Sequence, residues 1–420
     1  MSSKQDKPGP LRIAFIVDRF PVLSESFIIN EVAGAMERGH DVTILSLAAA
    51  PSETVVHGDF NKWDMLSRTE YLGVPRSPGP WIKKLLAILW QYRRFLPALA
   101  ARYDHQHFGA TGDRAKFMHQ ALRLLSMKPF DVIHCQFGLL GLKGLQFRES
   151  GVLQGKLITM FRGHDVSRHV QEVGGEVYTE LFRKGDYFLT NCDFFRDKLL
   201  QLGCDSERLT VKRSGVVTDR FSFRTRHAPT AGNTVVASVG RLVEKKGVSY
   251  CLQGFAKALQ SWPALEYHIL GDGPLRQELE ALTDQLGIRH AVKFHGAGNH
   301  DDVVNLLHSA HLFLATSVTA ANGDQDAAIN TAKEAMAMGL PVISTWHGGI
   351  PELVEDGVSG RLVPERDAGA IAAALSELLA KPEDWAALGS AGRARVEADY
   401  DQRRLNDQLN DIYRAISEQP

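Results

Sequence analysis

Between Gly323 and Val354 the chain reads GDQDAAINTAKEAMAMGLPVISTWHGGIPELV, a stretch that restricts the fold more than any other. From Ala327 to Met338 it holds no Pro or Gly and is dominated by Ala, Met, Lys and Glu, so it predicts a helix ended by Gly339. Apolar runs at His311 to Ala315 and Leu340 to Ser344 predict a strand on each side. Strand, polar loop, helix and strand in that order assemble into a parallel sheet. Two carboxylates ride on the unit, Asp326 just ahead of the helix and Glu334 inside it. At a rise of ~1.5 Å per residue they would stand roughly 12 Å apart along the axis, a separation suited to the two ends of an elongated ligand rather than to one metal or one water. Asp326 alone has a plainer reading as the helix N-cap. In an open α/β sheet, however, such a helix N-terminus faces the ligand crevice and holds phosphate oxygens, which would place Asp326 against hydroxyls beyond the phosphate.

The same alternation runs along the whole chain. Leu11 to Val17 is a nearly continuous apolar run, as expected of a strand buried on both faces. A Pro-containing turn, a helix from about Ser24 to Arg38 stopped by Gly39, and a strand at Asp41 to Leu45 complete an opening βαβ unit. A second βα series starts at Thr234 to Val239, after the polar, turn-rich segment RTRHAPTAGN. At 420 residues the chain exceeds one comfortable core. The expected division is residues 1–217 and 218–400, both α/β, with a last helix at about 401–420.

Several strand ends carry polar loops that would open onto one crevice. His134 ends one strand; Arg162, His164 and Asp165 follow another. A lone His near a strand end is more often structural, but Asp165 beside His164 favours a functional reading there. After Val239 the sequence GRLVEKKG sets Arg241 and Lys246 five residues apart ahead of a helix. That arrangement suits a diphosphate clamp, Arg241 binding in bidentate fashion and Lys246 as a point charge; the bland alternative is a solvated charged loop. Gly348-Gly349 lets backbone approach a ligand closely or simply makes a turn.

Four cysteines without metal-ligand or paired spacing suit a reducing cytoplasm, and the polar start MSSKQDKPGP suggests no signal peptide. No Asp-x-Asp pair with metal-ligand surroundings is evident, since Asp324-Gln325-Asp326 lies within the acidic motif; no cofactor and no metal are expected. The first 220 residues carry 30 Lys and Arg against 24 Asp and Glu, and the remainder 18 against 25. A basic first half suits an anionic partner or an acidic membrane face. Residues 81–100, WIKKLLAILWQYRRFLPALA, would supply an amphipathic basic helix for peripheral membrane contact, or else pack as an insertion on their own domain. Nucleic acid is disfavoured, because no basic cluster interleaves with aromatics at a known module's spacing.

The stretch from Asp326 to Glu334 resembles the acid-x7-acid signature of retaining glycosyltransferases of family 4, which usually opens with Glu. FPVLSE followed by Phe27 is similar to a variant found among bacterial exopolysaccharide transferases of the colanic acid and amylovoran kind, in place of a Gly-Gly loop. The resemblance spans roughly 11–400 and implies the GT-B fold, two Rossmann-like parallel-sheet domains facing across a cleft, with the final helix crossing back onto the first. It implies that Glu334 binds the nucleotide ribose and Asp326 the sugar hydroxyls, and that Asn330 and Thr331 offer backbone N–H groups to the diphosphate. Arg241 and Lys246 would neutralise the leaving group, Gly296 would flank the base, and His164 would lie beside the reacting sugar, so that His164, Asp326, Arg241 and Lys246 form the catalytic set. Ser24, Glu25, His134 and Arg162 are the candidate acceptor contacts; Ser24 and Glu25 have the alternative of capping a helix. The expected activity is retaining transfer from a nucleotide-sugar donor to a lipid-linked saccharide in the cytoplasm or at the inner face of the membrane. Rival readings are a phosphorylase or epimerase on the same architecture, or a nucleotide-sugar sensor without turnover.

Overall fold

Runs such as Ile13 to Val17, each residue with no exposed surface, have apolar side chains on both pleat faces, and a strand of that kind is stable only between two layers of helix. The computed structural model describes residues 9–22, 25–48, 58–73, 90, 93 and 111–419. Seven strands, β1 (Arg12–Val17), β2 (Asp41–Ser46), β3 (Thr69–Tyr71), β4 (Val132–Gln136), β5 (Lys156–Phe161), β6 (Tyr187–Thr190) and β7 (Leu209–Val211), form one parallel sheet in the order β3-β2-β1-β4-β5-β6-β7. Alternate residues of β1 feed two cores: Ala14 and Ile16 pack on one face, Ile13, Phe15 and Val17 on the other. Six more strands, β8 (Thr234–Val239), β9 (Leu265–Leu270), β10 (Val292–Gly296), β11 (Leu312–Ala315), β12 (Val342–Thr345) and β13 (Gly360–Val363), form a second parallel sheet in the order β10-β9-β8-β11-β12-β13. Strand order reverses between β1 and β4 in the first sheet and between β8 and β11 in the second. Connections leave such a switch point in opposite directions and open a crevice at the strands' carboxyl ends.

The chain crosses between the sheets twice, side by side. Val216 donates its N–H to the Tyr400 carbonyl at 2.8 Å, and Gln402 donates to the Val216 carbonyl at 3.0 Å. The last helix, Gln402–Ser417, lies on the first sheet, where Leu409, Tyr413 and Ile416 join the core with Phe15 and the first helix, Ser26–Glu37.

This helix corrects the reading of His134. Its side chain is wholly buried and its Nδ1 meets the Tyr413 hydroxyl at 2.6 Å. Burial holds the imidazole well below its usual range, near pKa 4, so it is neutral. His134 is an internal strut and touches no acceptor. Ser24 lies outside the described residues, as does segment 81–100 apart from Trp90 and Arg93, whose guanidinium carbon stands 4.7 Å from the indole centroid. Among the described residues no helix is long and apolar enough to cross a membrane. Tyr413→Phe should leave His134 Nδ1 unpaired in the core, at a cost of about 1–3 kcal/mol. Thermal unfolding should show a midpoint lower by a few degrees; an unchanged midpoint would remove the strut assignment.

Candidate active site

At the switch point of the second sheet, the loops after β8 and β11 stand side by side. Arg241, Lys246, Ser317 and Ile329 line one cleft there, with Gly240 and Ala315. The turn carrying Lys245 and Lys246 runs so close to β11 that a Cβ on Gly247 would lie 2.0 Å from the Thr316 carbonyl oxygen. With φ at +61° as well, the position demands glycine. This close approach delivers both lysines to Asp326. Lys246 Nζ and Ser317 Oγ each donate to Asp326 Oδ2 at 2.7 Å, and Lys245 Nζ stands 3.4 Å from Oδ1. Lys245 also pairs with Asp324 at 2.9 Å. Burial opposes ionisation of Asp326, but Lys246 and Lys245 outweigh it and hold the carboxyl well below the usual range.

Asp326 is not the helix N-cap. The helix spans Asn330–Ala337, later than its composition predicts, and Ile329 occupies the cap position without a side-chain cap bond. The reason is tertiary. Asp326 N–H donates to His347 Nε2 at 2.9 Å, and His347 Nδ1 meets Glu365 Oε1 at 2.6 Å. An acceptor at Nε2 leaves the proton on Nδ1, facing the carboxylate. Gly348 packs under the same residue, its Cβ position only 2.0 Å from the Asp326 carbonyl, so the glycine pair approaches protein backbone. Segment 326–329 is thereby held out of the helix, and the estimated 12 Å between the two acids, which assumed helix from Ala327, no longer applies.

Thr331 donates its hydroxyl to the Val239 carbonyl at 2.9 Å, fixing the helix to the end of β8. Asn330 is half-buried at the helix start. Glu334 is also half-buried, and its environment pushes the carboxyl up to about pKa 7 through burial, against the pull of Lys333. Gly296 ends β10 with φ at +79° and accepts the Gly271 N–H at 2.8 Å, two strands from the switch point.

Across the cleft the loop after β5 abuts Gln325. Gln325 N–H donates to Ser167 Oγ at 3.3 Å, its side chain bonds Lys198, and a Cβ on Gly163 would lie 2.5 Å from its carbonyl oxygen. His164 is exposed there, its ring parallel to that of His169 at 6.2 Å. Partial desolvation of the ring lowers its pKa, against the opposing charge of Asp324. Glu25 is half-buried; desolvation raises its pKa, partly offset by Arg162 and Arg241, one from each side of the cleft. Arg162 and Asp165 face inward, contrary to their expected convergence on the crevice. Arg162 bonds Ser214 Oγ and Gln136 Oε1, each at 3.0 Å, and lies over the Phe27 ring at 3.8 Å. It shares Glu31 with Lys212, which bonds that carboxylate at 2.7 Å. Asp165 accepts the Arg162 N–H at 2.9 Å, and burial pushes its carboxyl up to about 7. An acceptor-contact role for Arg162 is thereby corrected to a buried support. Among the described residues no group of three or more His, Cys, Asp or Glu is placed to hold a metal ion.

Two parallel sheets, with cations and an acid gathered at the switch point of one, form the GT-B architecture. Residues 28–215 match the glycosyl transferase 4-like domain family and residues 219–395 match glycosyl transferases group 1. The chain is 34% identical over 415 residues to a putative colanic acid biosynthesis glycosyltransferase, WcaL, of Salmonella typhimurium, covering 97% of this chain and 100% of the relative. It is 33% identical over 416 residues to the amylovoran biosynthesis glycosyltransferase AmsK of Erwinia amylovora, with the same coverage. The chain belongs to this family of group 1, family 4-like glycosyltransferases and is a glycosyltransferase. In fold it is similar to sucrose-phosphate synthase from Thermosynechococcus elongatus (TM-score 0.75, 20% identity, 97% of this chain and 99% of that one). It is also similar to Anabaena HepE in complex with UDP and glucose (TM-score 0.72, 18% identity, 96% and 100%).

Lys245, Ser317, His347 and Glu365 carry no local sequence signal of their place in the site. His347→Ala should leave the Asp326 N–H without its acceptor and let the loop drift. A displacement near 1 Å costs up to about a hundredfold in rate, so turnover should fall at least tenfold with circular dichroism unchanged. Native turnover would show that His347 does not hold Asp326.

Proposed function

We propose that the enzyme transfers a glycosyl group, with retained anomeric configuration, from a nucleoside-diphosphate sugar to a hydroxyl of a lipid-linked saccharide during exopolysaccharide assembly. The observation carrying this reading is the contact of Lys246 with Asp326 in the cleft that also holds Arg241 and opens on the Asn330 helix. Positive charge and sugar-directed acid are thus within one ligand's length of each other. The names of the colanic acid and amylovoran relatives support the exopolysaccharide setting, and the UDP and glucose bound to HepE make UDP-sugars the first donors to test.

In this reading Arg241 and Lys246, with Lys245 behind them, hold the diphosphate and neutralise the charge that grows as it leaves. The first N–H groups of the Asn330–Ala337 helix have no intrahelical partner and point to the same oxygens. Asn330 and Thr331 contribute through that backbone, since the Thr331 hydroxyl is already engaged. Glu334 accepts the ribose hydroxyls, and Gly296 flanks the base. Asp326 and His164 orient the sugar, and Glu25, with Ser24, meets the acceptor from the facing domain. The acceptor oxygen forms its bond to the anomeric carbon on the face from which the phosphate oxygen departs. That phosphate oxygen takes the acceptor's proton, giving glycoside and nucleoside diphosphate. The cationic set performs the charge neutralisation without a metal, so chelators should leave the rate unchanged. The basic first half would rest against the acidic inner face of the membrane.

Asp326→Asn should lower turnover by about a hundredfold, the scale of lost transition-state contacts, while UDP affinity is retained or strengthened because Lys246 is freed. Native turnover would refute the role of Asp326. Ribose hydroxyls donate to a carboxylate, so binding favours ionised Glu334, whose pKa in the free enzyme lies near 7. Nucleotide affinity should therefore plateau above pH 7 and weaken below it, by up to tenfold per pH unit. Titration calorimetry of Glu334→Gln should show that slope abolished; a slope surviving in the variant assigns it to another group.

A further inference from the structure

Lys333 sits one residue before the ribose-binding candidate and is 1% exposed. Its ammonium donates to the Ser214 carbonyl at 2.8 Å and to Asn330 Oδ1 at 3.0 Å, and lies 4.9 Å from the centroid of the Tyr400 ring. Among the described residues no carboxylate stands at ion-pair distance from it; the neighbouring Glu334 attracts it, and Arg162 and the half-buried Arg213 repel it. Burial pulls its pKa down to about 7. An interior cation with no carboxylate in contact is costly, and an apolar side chain of similar volume in its place is often neutral or stabilising. The arrangement is therefore poor as a stabilising device, and its geometry points elsewhere.

The atom of Asn330 facing Lys333 is the amide oxygen, which accepts from Nζ whether the amine is charged or neutral. That choice turns the amide NH2 the other way, and Asn330 is the first residue of the helix whose cap, Ile329, lines the cleft with Arg241 and Lys246. The second bond of Lys333 reaches Ser214 in the joint between the sheets, where the Ser214 hydroxyl receives Arg162 from the first sheet.

We propose that Lys333 is a positioning residue for the donor: it fixes the Asn330 side chain with its N–H donors toward the diphosphate and fastens that helix mouth to the domain joint at Ser214. The proposal rests on the reading of the cleft as a diphosphate site and adds a side-chain donor to the backbone groups already assigned there.

The test is a double-mutant cycle read by calorimetric titration with inorganic pyrophosphate, a probe that contacts the mouth and lacks ribose and base. Lys333→Met and Asn330→Ala should each weaken pyrophosphate binding about tenfold, and the double variant should be no weaker than Asn330→Ala alone. The melting temperature of Lys333→Met should match or exceed that of the native enzyme. Lys333→Gln keeps an N–H donor toward Asn330 and should recover most of the loss; it also carries the cycle if Lys333→Met fails to fold. Native affinity in both Lys333 variants, equal loss in Met and Gln, or a hundredfold loss in the double variant would overturn the proposal. Failure of the native enzyme to bind pyrophosphate would instead overturn the diphosphate reading on which it stands.

Discussion

Asp326 lies between two lysines, and the geometry of the second sheet's switch point follows from keeping it there. A carboxylate this enclosed is stable as an anion only if cations stand beside it and its remaining lone pairs are satisfied. Lys246, Lys245 and Ser317 meet that requirement. Each in turn needs its own backbone held: glycine at 247 lets the lysine turn pass β11, and His347 with Glu365 anchors the Asp326 backbone from the far side. The result is a ready-made concentration of positive charge in which Lys246 is paired with Asp326 and Lys245 with both Asp326 and Asp324. In the proposed function a diphosphate would compete for those cations and leave the carboxylate free to meet a sugar hydroxyl.

The two sheets are held together by contacts that use the same currency, caps and short ion pairs. Glu352 of the second sheet's domain accepts the N–H groups of Asp193 and Phe194, each at 2.9 Å, and so caps a helix, Asp193–Gln201, of the first. Arg213 bridges Glu352 and Asp193 at 3.3 and 2.7 Å. Beneath the cleft, Glu31 gathers Lys212, Arg162 and Gln136, and these lysine and arginine neighbours hold its carboxyl down, near pKa 2, against its burial. Polar groups that looked available from their place in the sequence are therefore spent on rigidity. Those left facing the cleft, His164 and Glu25 among them, are the ones with a partly exposed side chain and no fixed partner in the core.

The parallel sheets were legible because strands buried on both faces must be written as apolar runs; Thr234 to Val239 was located to the residue. Arg241, Lys246, Asp326 and Glu334 were legible as local patterns of charge ahead of or within a helix. What local pattern could not reveal were choices made by distant contacts. Ala327 to Ile329 have helical composition, yet His347 and the lysine turn draw the backbone out of helix. His134 has the look of a strand-end ligand, but its partner is Tyr413, 279 residues away. His347 and Glu365 meet only because β12 and β13 are neighbours, and an 18-residue spacing carries no signal of that. Asp165 and Arg162 sit in a polar loop whose side chains turn inward, and composition does not report direction.

A crystal structure with UDP bound would show whether a diphosphate is gripped between the β8 loop cations and the mouth of the Asn330 helix. Phosphate oxygens should lie within hydrogen-bond reach of Lys246 Nζ and the Arg241 guanidinium, with the helix N–H groups on the same phosphates and Asp326 released from Lys246. Phosphates seated away from that mouth, with Lys246 still bound to Asp326, would contradict it.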